Sequence, residues 1–206
     1  MYMTYTSWMY VMSTSNRSTY HHGQLRQTLI ALALKAVEQG SSEDLSLRGL
    51  AEQAGVSGMA PYRHFPDKAA LLAAVAEAGF EALRQKLAAA DDSTDARAAL
   101  AAFAGVYVRF AVERPGLFRL MFAGAPPTPG DGLADRATVF GLFIRRIEAL
   151  VPPDRQRDAF FACWSLAHGL ASLLVAGRIR QPPPDPAALA ERIGQMLLDG
   201  IENNRA

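Results

Sequence analysis

The sequence has a single cysteine, Cys163, and almost no excess of charge of either sign, since 21 Lys and Arg face 20 Asp and Glu. One cysteine excludes a disulfide framework and a zinc site built from several thiolates, and it is typical of a reducing cytoplasm. The balanced charge means that any surface for nucleic acid has to be a local patch. We expect no metal and no other cofactor.

The chain also lacks the alternation of polar and apolar residues that predicts strands, and it has no evident internal repeat. Half of its 206 residues are hydrophobic, which is enough for a buried core. Residues 1–19 lack both the basic start and the apolar run of a signal peptide, so we expect a flexible tail there. Four methionines in or beside it leave the true translation start open: Met1, Met3, Met9 and Met12.

The longest apolar stretch runs from Phe160 to Gly177 and approaches the roughly 20 residues that a membrane span needs. His168 lies in its middle, close to Ser165, Gly169 and Ser172. This pattern favours a helix that protein buries on most sides, so we expect no membrane partner and a cytoplasmic location.

Apolar residues at helical spacing, separated by turn residues, predict an all-α fold. The predicted helices cover Gln24–Gln39, Leu47–Ala54, a third segment from Gly58, Asp67–Ala90, Ala96–Glu113, Leu117–Phe122, Leu133–Val151, Asp154–Arg178 and Ala187–Asn203. Ser46 and Ser57 are suited to cap the second and third helices, and Gly55 is suited to a left-handed turn between them. Two short helices around a tight turn outline a helix-turn-helix.

The segment LSLRGLAEQAGVSGMAPYRHFPDKAALL, from Leu45 to Leu72, resembles the DNA-binding helix-turn-helix of the TetR family of bacterial transcriptional regulators. The AGVS turn, the YRHF ending and the Asp-Lys pair are all in register. The preceding TYHHGQLR is similar to the approach to the first helix in that family. In the C-terminal half, ERPGLFRLMFAG and the residues Trp164, His168 and Gly169 resemble the subgroup whose C-terminal domain is named for its Trp, His and Gly.

This resemblance implies an N-terminal three-helix DNA-binding domain over residues 20–66 and a C-terminal helical domain over residues 67–206 for effector binding and dimerisation. It implies a sequence-specific regulator, a homodimer on an inverted-repeat operator in double-stranded DNA. Repression relieved by a small, largely apolar effector is the expected mode, although activation stays open. The effector would move residues 67–90 as a lever. This would change the distance between the two DNA-binding domains of the dimer, which bind major grooves that are about 34 Å, or a multiple of that distance, apart.

In a helix-turn-helix the second helix enters the major groove while the first crosses the backbone. We expect Pro61 and Phe65 to face inward, and Met59, Ala60 and Arg63 to face the bases. The resemblance implies phosphate contacts for Tyr62 and His64, and the helix start at Lys68 favours another. The full set of predicted DNA-binding residues is Ser46, Arg48, Ser57, Gly58, Met59, Ala60, Tyr62, Arg63, His64 and Lys68.

Some of these residues have alternative roles. Tyr62 is amphipathic and has a core position with its hydroxyl at the rim as the less favoured alternative, and Arg48 is spaced to pair with Glu52 on the helix surface. Pro61 departs from the family pattern, where a Leu-like residue is more common. Its ring and missing N–H predict a tight or slightly irregular third helix.

Aromatic residues are dense in the C-terminal half, and they are candidates both for the core and for the lining of an effector pocket. The predicted pocket residues are Phe103, Tyr107, Phe110, Phe118, Met121, Phe122, Phe140, Phe143, Trp164 and His168, with Arg109 as a further polar candidate. Trp164 and His168 are four residues apart and share a helix face. A buried histidine held by a neighbour is therefore as good an interpretation of His168 as a ligand contact.

Two other classes of protein compete with a regulator. An enzyme is disfavoured because Cys163 and His168 are about 140° apart around a helix, and because phosphate-binding loops, paired catalytic carboxylates and zincin motifs are missing. His21 and His22 are adjacent and make a weak metal site. A constitutive, architectural DNA-binding protein with no effector stays open, because only a pocket distinguishes it from a regulator.

Overall fold

The computed structural model describes residues 22–40, 44–91, 93–123 and 138–203. These residues form eight α-helices and no strand, which confirms the predicted all-α fold. The helices are α1 (His22–Glu38), α2 (Leu47–Gln53), α3 (Lys68–Ala89), α4 (Ala96–Glu113), α5 (Pro115–Met121), α6 (Val139–Leu150), α7 (Gln156–Val175) and α8 (Pro186–Asn203). The predicted tail and the predicted helix start at Leu133 lie outside the described residues.

The prediction of a third α-helix from Gly58 was wrong. This part of the chain forms turns and then a short 3₁₀ helix, Pro61–Arg63. Pro61 has no N–H to donate to the carbonyl of Ser57, so the turn closes through Ala60 N to Ser57 O at 2.9 Å and His64 N to Pro61 O at 2.9 Å. The irregularity expected from Pro61 is therefore present and extends over the whole element.

Other predicted helix ends moved by a few residues. The helix expected from Leu117 begins at Pro115, because proline is well suited to a first helical position. The helix expected over Asp154–Arg178 ends at Val175, and Gly177 follows it with φ +63°. Asp95 caps α4, since its carboxylate accepts the N–H of Arg97 at 2.9 Å.

Helix α4 lies at the centre of the C-terminal half and packs against α3, α5, α6, α7 and α8. Its side chains Phe103, Val108 and Phe110 are almost fully buried. Gly105 lets α8 approach closely, because a Cβ there would overlap the carboxylate of Glu191. The N-terminal helices are joined to this body, since α1 contacts both α3 and α5.

Helix α7 is less covered than expected. The helical stretch Pro153–Val175 is long and apolar enough to cross a membrane by length and composition, and the chain itself buries 28% of its most apolar window. The expectation that protein buries it on most sides is wrong for a single chain. Leu173 on α7 and Met196 on α8 are 49% and 70% exposed.

Candidate nucleic-acid interface and ligand cavity

The turn before the 3₁₀ helix is built by a cap and a glycine. The hydroxyl oxygen of Ser46 accepts the N–H of Gly49 at 3.1 Å and so begins α2. Gly55 adopts φ +68°, a left-handed conformation that most side chains disfavour, and Val56 N then donates to Ala51 O at 3.0 Å. Ser57, which was expected to cap the next helix, forms no side-chain hydrogen bond with the described residues.

Residues Met59 to Arg63 form an exposed segment that buried side chains hold in place. Pro61 and Phe65 are buried, as expected, and they fix the segment to α1 and α2. Met59 is 67% exposed and Arg63 is exposed, whereas Ala60 is half-buried. A short segment with an apolar and a cationic side chain pointing outward has the residue types that contact thymine methyls and guanine edges in a major groove.

The predicted phosphate contacts differ in their surroundings. Tyr62 is 40% exposed, so it is not a core residue, and the structure describes no ion pair between Arg48 and Glu52. Lys68 is the first residue of α3, directly after the cap Asp67, whose carboxylate accepts the N–H of Ala70 at 2.8 Å. His64 is half-buried, and its Nε2 is covered and has no hydrogen-bond partner, so only Nδ1 is left for a phosphate.

Arg26 lies close to this segment and was not predicted to do so. Its guanidinium lies over the ring of Phe65, with the Cζ atom 5.4 Å from the ring centroid. This cation–π contact ties the start of α1 to Phe65, two residues after the exposed segment. In the sequence, Arg26 was indicated only by its place in TYHHGQLR, the segment that resembles the start of the first helix in the TetR family.

The predicted pocket residues divide into core and cavity residues. Phe103 and Phe143 pack edge to face with centroids 5.3 Å apart, and Phe110 is buried in the same hydrophobic cluster, so these three are core residues. Phe140 packs against Trp164 at 5.7 Å. Met121 lies under α3, and Arg109 is exposed on α4 without lining a described cavity.

A cavity of about 270 Å³ lies between α5 and α7. Three of the predicted residues line it, namely Phe118, Phe122 and His168. Arg119, Ser172, Val175 and Ala176 complete the lining and were not predicted, because the sequence does not show which face of α7 meets α5. The lining combines apolar residues with a few polar groups, as small-molecule sites usually do.

Tyr107 and Trp164 lie behind His168 and do not line this cavity. The Tyr107 hydroxyl is 2.8 Å from His168 Nδ1. Burial raises the pKa of the Tyr107 hydroxyl well above its ordinary value, and the neighbouring indole N–H of Trp164 offsets a small part of that effect. That indole N–H is buried and lacks a well-formed hydrogen bond. Burial lowers the pKa of His168, so its imidazole is neutral near pH 7.

A second cavity of about 200 Å³ lies between α6 and α7, lined by Ile144, Ile147, Glu148, Gln156, Arg157, Phe160 and Phe161. Its exposed surface is almost wholly apolar. Its lining residues come from α6 and from the first part of α7, so this cavity does not reach His168 or α5.

Helix α5 connects the cavity to the N-terminal helices. Gly79 of α3 touches Leu117 and Met121, where an added Cβ would approach to 2.9 and 2.8 Å. Gly116 lies against the carbonyl of Val37 at the end of α1, where an added Cβ would overlap the oxygen. A shift of α5 therefore has to be accommodated by both α1 and α3.

Two family profiles match the chain. The one for bacterial regulatory proteins of the tetR family matches residues 29–75, and the one for the tetracyclin repressor-like C-terminal domain matches residues 100–197. A search of curated proteins gave no match.

Solved structures share the fold. A protein of unknown function from Rhodococcus sp. RHA1 is 33% identical, with 89% of this chain and 98% of that chain covered and a TM-score of 0.73. A variant of TetR from Acinetobacter baumannii AYE, crystallised with minocycline, is 27% identical over 87% and 97%, with a TM-score of 0.62. A tetR family regulatory protein from Rhodococcus RHA1 is 19% identical over 85% and 96%, with a TM-score of 0.59. The chain therefore belongs to the TetR family of DNA-binding bacterial regulators.

Proposed function

We propose that the protein is a cytoplasmic, homodimeric transcriptional repressor that leaves an inverted-repeat operator when a small, largely apolar effector binds. Residues 20–66 form the DNA-binding domain, and residues 67–206 bind the effector and the second subunit. The observation that carries the proposal is the exposed segment Met59–Arg63, anchored by the buried Pro61 and Phe65. An exposed segment of this kind is suited to insertion into a DNA major groove.

The effector site of this proposal is the cavity between α5 and α7. A variant of TetR from Acinetobacter baumannii AYE is known with minocycline, so a relative with this fold holds a small molecule. In this chain, ligand against Phe122 would move α5, and the contacts of Gly79 and Gly116 would pass the movement to α3 and α1. A ligand can shift the protein from its DNA-binding arrangement to its released arrangement only if it binds the released arrangement more tightly.

The second subunit is proposed to cover α7 and α8. Leu173 and Met196 expose apolar surface there, and Gly169 has no atom of its own chain within 4 Å of an added Cβ. Small residues on α7 permit close helix approach, and four helices, two from each chain, would bury the apolar stretch that one chain leaves uncovered. A two-fold dimer also places two DNA-binding domains against the two halves of an inverted repeat.

A catalytic role is not part of the proposal. Burial raises the pKa of the Cys163 thiol to about 11, so the only thiol in the chain is not a thiolate nucleophile at neutral pH. Among the described residues, the hydrogen bond of His168 is to the buried phenol of Tyr107 and not to a serine or cysteine.

Selection of bound duplexes from a random pool by the purified protein, at two salt concentrations, tests the DNA-binding part. An enriched inverted repeat is expected. Weak binding without sequence preference, falling steeply with salt, would instead favour an architectural protein. A failure to bind any duplex after removal of small molecules by refolding would contradict the proposal.

Two aspartate substitutions test the dimer. Leu173→Asp places a charge on the proposed interface, whereas Val112→Asp places one on α4 at a residue of similar exposure, 42% against 49%. Sedimentation is expected to show a dimer for the wild type and Val112→Asp, and a monomer for Leu173→Asp. A dimer for all three would put the interface elsewhere.

A further inference from the structure

The cavity between α5 and α7 contains two polar groups with defined hydrogen-bonding roles: the imidazole of His168, which is bonded to Tyr107, and the guanidinium of Arg119, which can only donate. We propose that the cavity binds a small aromatic carboxylate, with its ring against Phe118 and Phe122 and its oxygens on His168 and Arg119. This inference rests on the proposed effector role of the cavity, and it specifies the chemical class of the effector.

The first step is the tautomer of His168. The buried Tyr107 hydroxyl has one acceptor within reach among the described residues, His168 Nδ1 at 2.8 Å. A buried O–H without an acceptor is costly. Tyr107 therefore donates to Nδ1, and the proton of the neutral imidazole is on Nε2.

The second step is what this tautomer offers to the cavity. The His168 ring lines the cavity, and its Nδ1 is occupied by Tyr107, so Nε2–H is the group left for a ligand. That group is a donor only. A ligand that itself offers only donors, such as an amine, meets a repulsive pairing, whereas an acceptor oxygen is matched.

The third step is charge. Arg119 lines the same cavity, and it forms no ion pair or hydrogen bond with the described residues. No carboxylate lines the cavity beside it. A planar guanidinium is well matched to a carboxylate, which it can bind through two parallel hydrogen bonds. Together with the donor on His168, this favours an anion over a neutral or cationic ligand.

The fourth step is the shape of the apolar part. The rings of Phe118 and Phe122 are 5.1 Å apart and inclined by 51°, and the ring of Phe122 meets that of His168 edge to face at 4.7 Å. Aromatic rings in such arrangements favour another ring in offset or edge-to-face contact. A volume of about 270 Å³ equals that of roughly nine water molecules, which fits one or two small fused rings.

Calorimetric titration of the full-length protein with benzoate and 2-naphthoate, against benzylamine and 2-naphthylmethylamine, tests the class of ligand. At least one carboxylate is expected to bind, and at least tenfold more tightly than its amine. His168→Phe and Arg119→Gln are each expected to weaken carboxylate binding by about tenfold. Arg109→Gln, an exposed arginine that does not line the cavity, is the matched control and should bind like the wild type. Equal binding of the amines, no binding of either carboxylate, or an unaffected Arg119→Gln would overturn the proposal.

Nitrogen NMR of ¹⁵N-histidine-labelled protein tests the tautomer without any ligand. His168, assigned by the loss of its signals in His168→Phe, is expected to show a protonated Nε2 and an unprotonated Nδ1. In Tyr107→Phe the tautomer is no longer fixed, so the preference for the carboxylate over the amine is expected to fall. A protonated Nδ1 in the wild type would contradict the proposal. Carboxylates that bind but leave operator affinity unchanged would support this inference while counting against the proposed effector role.

Discussion

The ring of Phe122 on α5 meets the ring of Phe80 on α3 edge to face, with centroids 5.4 Å apart and planes inclined by 78°. The same Phe122 ring is 4.7 Å from the imidazole of His168. One side chain therefore touches both the cavity and the helix that leads to the DNA-binding residues. A ligand that displaces Phe122 cannot leave Phe80 unaffected, because both rings are packed among other side chains.

Phe80→Leu is expected to weaken the effector response and to leave operator binding nearly intact. Leucine keeps the apolar contact with α3 but lacks the ring edge that Phe122 presses on. The measurement is the operator affinity without ligand and with a saturating ligand that releases the protein from DNA. The ratio of these two affinities should fall several-fold, which corresponds to a loss of roughly 1 kcal/mol of coupling free energy. Phe103→Leu, a core change away from the cavity, is the control; an equal loss of response in both variants would show a general loss of packing instead.

Arg63→Ala and Arg48→Ala are expected to change DNA binding in different ways. Arg63 is in the exposed segment, so its loss should relax the preference at one base position in each half-site. Arg48 is at the start of α2, so its loss should weaken binding to all sequences and reduce the salt slope of the affinity by about 0.9 per phosphate contact. The measurement is selection of bound duplexes and a salt titration. An unchanged base preference in Arg63→Ala would exclude its base contact.

The helices were predictable where local signals agree. The range Ala96–Glu113 was predicted to the residue, because a polar break precedes it and Pro115 follows it. The third helix was not, since the family resemblance favoured a helix while Pro61 removed an N–H from its first turn. In this element a single residue outweighed the pattern around it.

The site was predictable only in part, because its contacts join distant residues. Phe118, Phe122 and His168 were expected in a pocket on residue type, and the structure brings them together. Nothing in the sequence shows that Tyr107 meets His168, 61 residues away, or that Arg119 and Ser172 share a cavity. These relations depend on how α4, α5 and α7 are rotated against each other, and helical periodicity does not specify that.

Gly116→Ala is expected to destabilise the protein more than any other single added methyl group. Its Cβ would overlap the backbone carbonyl oxygen of Val37, which cannot move without shifting the end of α1. The cost should reach about 2–3 kcal/mol, the upper range for overpacking, in urea unfolding at fixed protein concentration. Gly79→Ala meets the movable side chain of Met121 and should cost less, and Gly200→Ala, with no atom within 4 Å, should cost nothing.

Arg146→Leu is expected to destabilise the connection between α3 and α6. Arg146 donates to the carboxylate of Asp91 at 2.7 Å and to the carbonyl of Ser93 at 2.8 Å, just after α3 ends. Both charged side chains are more than four-fifths covered, so removing one leaves the other poorly paired, at a cost of about 1–3 kcal/mol. Arg84→Leu breaks the exposed pair with Glu81, which solvent screens, and should cost much less. Equal urea unfolding midpoints for Arg146→Leu and the wild type would show that the buried pair adds nothing to the free energy of unfolding.

The stability of the protein is expected to fall as the pH drops below about 6.5, in part because of His168. Burial lowers the pKa of this imidazole in the folded state, so near and below the ordinary value of 6.5 the unfolded chain binds the proton more readily than the folded one. The free energy of unfolding therefore rises with pH up to about 6.5 and levels off above it. The slope from one such group is at most about 1.4 kcal/mol per pH unit.

His168→Phe removes the titrating ring, so its urea unfolding curves between pH 5 and 7 should show a smaller dependence on pH than those of the wild type at the same protein concentration. Arg109→Gln is a control that leaves His168 in place and should keep the full dependence. A His168→Phe variant with the pH dependence of the wild type would mean that the folded protein accepts a proton on His168 as easily as the unfolded chain. In that case the imidazole would not be held neutral beside Tyr107, and the donor that it offers to the cavity would not be fixed.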